Sequence, residues 1–169
     1  IILICWKPGS GKWTLSRFIE DRYGALVYHF SEPLHKILSD FSIPNTRENL
    51  AKISFLLRKN FGEHILWLWA WEYIEKNKWK MIVLEWIRRV ESLMDWKDQI
   101  DHIIWIDAKP EIRYLRMISR WEKSSEDILS YEEFCKQESW EAEFTLENLR
   151  DMADIAIENT KHQHFSLCQ

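Results

Sequence analysis

Glycine is scarce in this chain, 4 of 169 residues, about 2.4% where globular proteins carry ~7%. Cysteine is scarcer, and the three present (Cys5, Cys135, Cys168) are an odd number without metal-ligand spacing. That excludes a disulfide framework and a zinc cluster, and predicts free thiols in a reducing compartment, the cytoplasm. No apolar run approaches the ~20 residues of a membrane span, and no basic-then-apolar segment resembles an export signal. The longest runs are IILICW at the start and MIVLEWI near the middle. Positive charge is not in excess either: the net charge is −4 and the pI near 5.9. This argues against a nucleic-acid or anionic-membrane surface and confines any phosphate site to a local pocket.

Tryptophan is present in excess, 11 residues against the 4 glycines. Several stand in polar contexts that favour a turn, as in Asn77-Lys78-Trp79-Lys80, Asp95-Trp96-Lys97, Arg120-Trp121-Glu122 and Ser139-Trp140-Glu141, where small residues are the usual choice. Trp67, Trp69 and Trp71 recur at i, i+2, i+4, so they are not expected to share one buried helical stripe. Glycine and tryptophan together number 15, about 8.9% and close to an ordinary glycine content. The expectation is that many of these tryptophans occupy positions suited to glycine or another small or polar residue.

With 46% apolar and 30% charged residues, the composition predicts one globular domain over 1–169 without repeats or linkers. Ile1–Cys5 reads as a buried strand, 6–13 as a loop and 14–23 as a helix with Leu15, Phe18, Ile19 and Tyr23 at helical spacing. Ala25–His29 reads as a second strand, and Ser31 opens a helix to about Phe41. Thr46 is expected to cap a helix that ends at Gly62, followed by a helix over 63–78. Further strands are expected at Lys80–Leu84, His102–Ile106 and Asp154–Ile157, with helices near 89–95, 110–121 and 130–150. This alternation predicts an α/β fold, with a mostly parallel five-stranded sheet between helices on both faces.

Between the first strand and the first helix stands Trp6-Lys7-Pro8-Gly9-Ser10-Gly11-Lys12-Trp13-Thr14. Such a loop holds phosphate because successive backbone N–H groups make an anion nest, the helix N-terminus adds positive potential, and a lysine reaches the β and γ phosphates. Gly9, Gly11 and Lys12 suit those roles, and Thr14 offers a hydroxyl towards a magnesium shell. The segment resembles the phosphate-binding (Walker A) loop of the nucleoside monophosphate kinase superfamily, G-x-P-G-S-G-K-G-T. Trp6 and Trp13 depart from it at its first and last glycines, where bulky side chains are expected to hinder nucleotide binding by backbone conformation at 6 and by occupancy at 13. Met81-Ile82-Val83-Leu84-Glu85-Trp86-Ile87-Arg88 is similar to the superfamily's strand ending in an acidic residue, then glycine and arginine, again with tryptophan at the glycine.

The segments Ile43–Leu50, Leu56–Gly62, Tyr131–Phe134 and Ala153–Asn159 resemble, more loosely, a poorly characterised branch close to dephospho-coenzyme A kinases. The resemblance implies a three-layer P-loop sandwich with an inserted helical acceptor region, about 30–78 here, and a short lid, about 120–130. It implies ATP and Mg2+ as cofactors, with donor phosphates at Pro8, Gly9, Ser10, Gly11, Lys12, Trp13 and Thr14. Thr14 and Glu85 would serve magnesium, the latter indirectly, and Arg58, Glu85 and Arg88 a nucleotide-like, phosphate-bearing acceptor.

Phosphoryl transfer calls for positioned cations more than for covalent chemistry. Arg113, Arg116 and Arg120 fall at i, i+3, i+7 on one helical face leading into the lid. Lys12, Arg88, Arg116 and Arg120 are therefore the expected catalytic cations, while Arg113 reads equally as a solvated partner of Glu111 or Glu122. Arg47 and Arg58 read equally as surface charge, with Arg58 preferred for the acceptor, and Arg89 as a surface partner. His29 and His35 read first as satisfied structural groups, Cys5 as packing, and Asp107 as the N-terminal cap of the next helix. His162 and His164 lack a third ligand for a metal. The expected activity is ATP-dependent phosphoryl transfer by a monomer or homodimer, with a non-catalytic P-loop nucleotide-binding or interaction domain as the alternative. No nucleic-acid or membrane partner is expected.

Overall fold

A computed structural model describes residues 1–85, 93–94, 96–119, 130–141 and 147–160. Five strands, β1 (Ile2–Trp6), β2 (Leu26–His29), β3 (Ile82–Glu85), β4 (His102–Asp107) and β5 (Ile155–Glu158), form one sheet in the order β2-β3-β1-β4-β5. Every pairing is parallel. The helices are α1 (Lys12–Tyr23), α2 (Glu32–Asp40), α3 (Arg47–Phe61), α4 (Ile65–Lys76), α5 (Pro110–Ile118), α6 (Tyr131–Glu141) and α7 (Glu147–Asp151) among the described residues.

The central strands are apolar on both faces because both faces are covered, as parallel connections require. Alternation along β1 sends Leu3 and Cys5 to one core and Ile4 to the other. Leu3 and Cys5 join Leu84, Ile103 and Trp105 beneath Leu66, Trp67, Ala70 and Ile74 of α4. Ile4, Val83 and Ile106 meet Ile19 of α1 and Ala25. The strands expected from sequence are all present, with ends shifted by one or two residues. The register puts His29 beside Glu85, and Glu85 beside Ile4, so the ends of β1, β2 and β3 gather at one edge of the sheet.

Helix signals behave largely as their chemistry dictates. Thr46 is extended and its hydroxyl accepts the Asn49 N–H at 3.2 Å, capping α3. Gly62, at φ 96°, ends it. The tryptophans correct two expectations. Trp67 is buried and stacks on Trp96 with ring centres 5.8 Å apart and planes 7° apart, while Trp69 and Trp71 are half-buried against the same core. All three contact one core because the exposed stripe of α4 is narrow, Leu68, Glu72, Glu75 and Lys76, which leaves Trp69 and Trp71 at the flanks of the buried face. Trp96 likewise packs inward, whereas Trp79 is 90% exposed in its turn. Ser139–Glu141 lies within α6 and is not a turn; the helix expected over 130–150 is described at Tyr131–Glu141 and Glu147–Asp151, and 142–146 lie outside the described residues. The lid at 120–130, except Ser130, and the helix expected near 89–95, except residues 93 and 94, lie outside the described residues.

Candidate functional site

The chain leaves β1 at Trp6 and re-enters regular structure at Lys12. Between them the Ser10 N–H closes a turn on the Lys7 carbonyl at 3.1 Å, and the N–H groups of Thr14 and Leu15 bond the Gly11 carbonyl at 3.0 and 3.2 Å to start α1. Gly9 and Gly11 are left-handed, at φ 79° and 102°, a conformation that a Cβ disfavours. Left-handed residues flanking a turn are the backbone pattern of anion nests, and this one sits on the N-terminus of a twelve-residue helix. Ser10 is fully buried and its hydroxyl has no hydrogen-bond partner among the described residues.

The Lys12 ammonium lies 2.7 Å from Oε2 of Glu85, whose side chain is 1% exposed at the end of β3. Nδ1 of His29, from the end of β2, lies 3.0 Å from the same oxygen. Burial acts to raise the Glu85 pKa; His29, the Lys12 charge and the Ser16 hydroxyl overcome it and hold the carboxyl at about 2. Glu85 is thus a fixed anion at neutral pH, set between the loop lysine and the end of β2. Sequence reasoning read His29 as structural; the signal that could have brought it forward is its place at a parallel strand's carboxyl end, where ligands of such sheets bind.

The two tryptophans of the loop take ordinary backbone conformations. Trp6 is the last residue of β1 and Trp13 lies in the first turn of α1, and Ser42 is the non-glycine residue with positive φ among those described. The expected conformational obstacle at position 6 is therefore not present. The side chains matter instead: the Trp6 ring centre is 4.1 Å from the Lys12 ammonium, a cation–π contact, and Trp13 is 55% exposed with the Arg17 guanidinium 5.2 Å from its ring centre.

Behind the loop, Arg113 of α5 is 1% exposed. Its Nε donates to the Ala108 carbonyl at 2.8 Å and lies 3.3 Å from Asp107 Oδ1, and a terminal nitrogen reaches the Pro8 carbonyl at 3.4 Å. Arg113 is therefore neither a solvated partner of Glu111 nor part of a lid. Burial lowers its pKa and Asp107 acts to raise it again. Arg116 donates to the carbonyls of Gly9 (3.3 Å), Ser10 (3.2 Å) and Asn159 (3.1 Å), and Asn159 Nδ2 adds a bond to the Ser10 carbonyl at 2.9 Å. Asp107 is not the cap of α5, which starts after Lys109; its carboxylate accepts the Ala108 N–H and pairs with Arg113 and, at 3.7 Å, with Lys7.

Pro8, Gly9, Ser10, Gly11, Lys12, Trp13 and Thr14 all belong to the loop or the first turn of α1, with Glu85 beside them. Arg58 is half-buried in the last turn of α3, and His35 bonds Asn45 at 3.0 Å. Cys5 is fully buried, and burial pushes its thiol up to about 12. Arg88, Arg89, Arg120, His162, His164 and Cys168 lie outside the described residues, as does the side chain of Arg47. No group of three metal-ligating side chains and no helix long and apolar enough to cross a membrane occurs among the described residues.

No family model matches the chain. It is 27% identical over 162 residues to a UPF0200 protein of Saccharolobus islandicus, covering 94% of this chain and 84% of that protein. A UPF0200 protein of Thermococcus onnurineus is 26% identical over 165 residues, covering 94% and 88%. Among solved structures, the fold is similar to TT1252 from Thermus thermophilus, with TM-score 0.53, 21% identity, and 95% and 88% of the two chains covered. It is also similar to shikimate kinase from Bacteroides thetaiotaomicron, with TM-score 0.53, 11% identity, and 94% and 85% covered. The chain thus has the α/β fold of P-loop kinases.

Proposed function

We propose that this chain is a nucleotide-dependent phosphotransferase acting on a small phosphate-bearing acceptor. The observation that carries the reading is the meeting of Lys12 and the buried Glu85 carboxylate at 2.7 Å, at the edge of a parallel sheet beside a loop with two left-handed glycines. A structural ion pair alone does not call for a buried Ser10 hydroxyl, without a partner among the described residues, in a loop of that shape.

The residues present suit ATP and magnesium in these roles. The nest of 8–14 and the N-terminus of α1 would hold the donor phosphates, and Lys12 would leave Glu85 to meet the β and γ phosphates. Thr14 would serve magnesium directly and Glu85 indirectly, and bound magnesium supplies neutralisation of phosphate charge. His29 and Glu85 would face the acceptor from the ends of β2 and β3. Arg58, Arg88 and Arg120 are the cations offered for acceptor and transferred phosphate, Arg116 being turned to the loop carbonyls, with the acceptor held by the region 30–78 and covered by a lid at 120–130. Nucleoside monophosphates and dephospho-coenzyme A are the acceptors to try first. The setting is cytoplasmic, the chain a monomer or homodimer, and neither nucleic acid nor membrane takes part. A non-catalytic reading draws on the cation–π contact of Trp6 with Lys12, which holds back the one side chain that the donor needs.

The test is turnover of ATP with each acceptor, in the chain as given and with Trp6→Gly/Trp13→Gly. Lys12→Ala in whichever form is active is expected to abolish turnover, since no other loop cation replaces its reach. Retention of more than about a tenth of the rate, a loss of only ~1.4 kcal/mol, would remove Lys12 from the mechanism. No turnover in either form would favour the non-catalytic reading.

A further inference from the structure

We propose that Arg113, together with Arg116, is a positioning residue of the phosphate loop, holding its carbonyl groups outward so that its N–H groups stay turned to the anion. The proposal rests on the phosphotransferase reading, and deepens it by assigning the preorganisation of the loop to α5. A loop of this kind binds phosphate only while its peptide units keep one orientation; a peptide turned over presents a carbonyl oxygen to the anion. Peptide planarity sets the N–H of residue i+1 opposite the carbonyl of residue i. Fixing the Pro8, Gly9 and Ser10 carbonyls towards α5 therefore directs the N–H of Gly9 and of Gly11 away from α5, while that of Ser10 closes the turn on Lys7.

Three features mark this as a built arrangement. Arg113 is 1% exposed, and burying a guanidinium is costly unless it is paired and bonded; here Asp107 pairs with its charge, and the Ala108 and Pro8 carbonyls accept its N–H groups. A Cβ on Gly9 would lie 2.6 Å from the Arg113 carbonyl oxygen, so α5 approaches the loop as closely as glycine permits. Arg116 bridges the loop to Asn159 after β5, and Asn159 returns a second bond to Ser10, so two segments hold the same carbonyl. Two cations beneath the nest also add to its positive potential without touching the ligand.

The experiment compares Arg113→Met, Arg116→Gln and Arg116→Lys, each in the chain as given and with Trp6→Gly/Trp13→Gly. The readouts are amide hydrogen exchange of Ser10, whose N–H is bonded to the Lys7 carbonyl, against β1 and β3, and the affinity for inorganic triphosphate. Arg116 is half-buried, so its variants decide the matter if Arg113→Met does not fold. Arg116→Gln is expected to speed exchange at Ser10 at least tenfold, leave β1 and β3 protected, and weaken triphosphate at least tenfold. Arg116→Lys, lacking the planar fork, should recover only part of both. Unchanged exchange at Ser10 overturns the proposal, and so does faster exchange with triphosphate affinity kept within twofold. If no form binds triphosphate, the phosphotransferase reading fails, and the exchange readout alone decides whether the arginines hold the loop.

Discussion

At the scale of the residue, Glu85 concentrates the physics of the site. A carboxyl with almost no exposure would ordinarily be neutralised by burial, yet His29, Lys12 and Ser16 hold it at about 2. Its pKa is lower folded than unfolded, where it lies near 4.5. The resulting stabilisation is complete above about pH 4.5 and is lost as pH falls towards 2, amounting to roughly 3 kcal/mol at most. Thermal unfolding followed from pH 6 to pH 2 should therefore show a steeper loss for the native chain than for Glu85→Gln. Parallel curves would mean that the carboxylate is as well solvated folded as unfolded. Lys12 and Glu85 were legible in the sequence because each ends a recognisable local pattern, a loop and a strand. His29 was not, since its partner comes from parallel register, which joins residues 56 positions apart; its place at a strand end is a local sign but does not name Glu85.

Secondary structure elements carry the next lesson. α3 begins at a signal written in four residues, Thr46 to Asn49, and the cap forms as the chemistry requires. Thr46→Ala should cost about 1 kcal/mol, measured by urea unfolding with an unchanged m-value; an unchanged midpoint would show that the helix is set by its packing alone. α5 was harder to read. Its i, i+3 arginines spell a solvated or cleft-facing stripe by sequence spacing, because periodicity reports which residues share a face and not what that face meets. Arg113 meets the back of the loop and is buried. Asp107 misled for a related reason: a short acidic residue before a proline-led helix suits a cap, but the capping position is Lys109, two residues later, and the carboxylate pairs with Arg113. α4 shows the converse, since tryptophans at i, i+2 and i+4 touch one core when the buried face of the helix is wide, one buried and two at its flanks.

For the whole molecule, the α/β alternation and the sheet were readable because central strands of a parallel sheet are continuous apolar runs, and Ile1–Cys5 and Ile82–Leu84 are such runs. The tryptophan excess has its consequence at this scale. If the indoles at 6 and 13 obstruct the nest by competing for Lys12 and crowding the loop, restoring glycine should reveal ligand-linked stability. At a hundredfold excess over Kd, ATP with magnesium should add about 2.7 kcal/mol, a rise in Tm of roughly 5 to 10 °C, in Trp6→Gly/Trp13→Gly, and much less in the chain as given. Equal shifts would show that the loop tolerates both indoles. Cys5 offers a different kind of readout. It lies on the central strand, fully buried, with its thiol pushed up to about 12, so in the native state it is inert to alkylating reagents. Reaction at Cys5 must wait for the sheet to part, which makes its labelling rate a clock for the opening of the centre of the molecule. Half-buried Cys135 should react first under native conditions, with Cys5 following only at the rate of global opening; prompt labelling of both would mean that the central strand breathes independently of the rest.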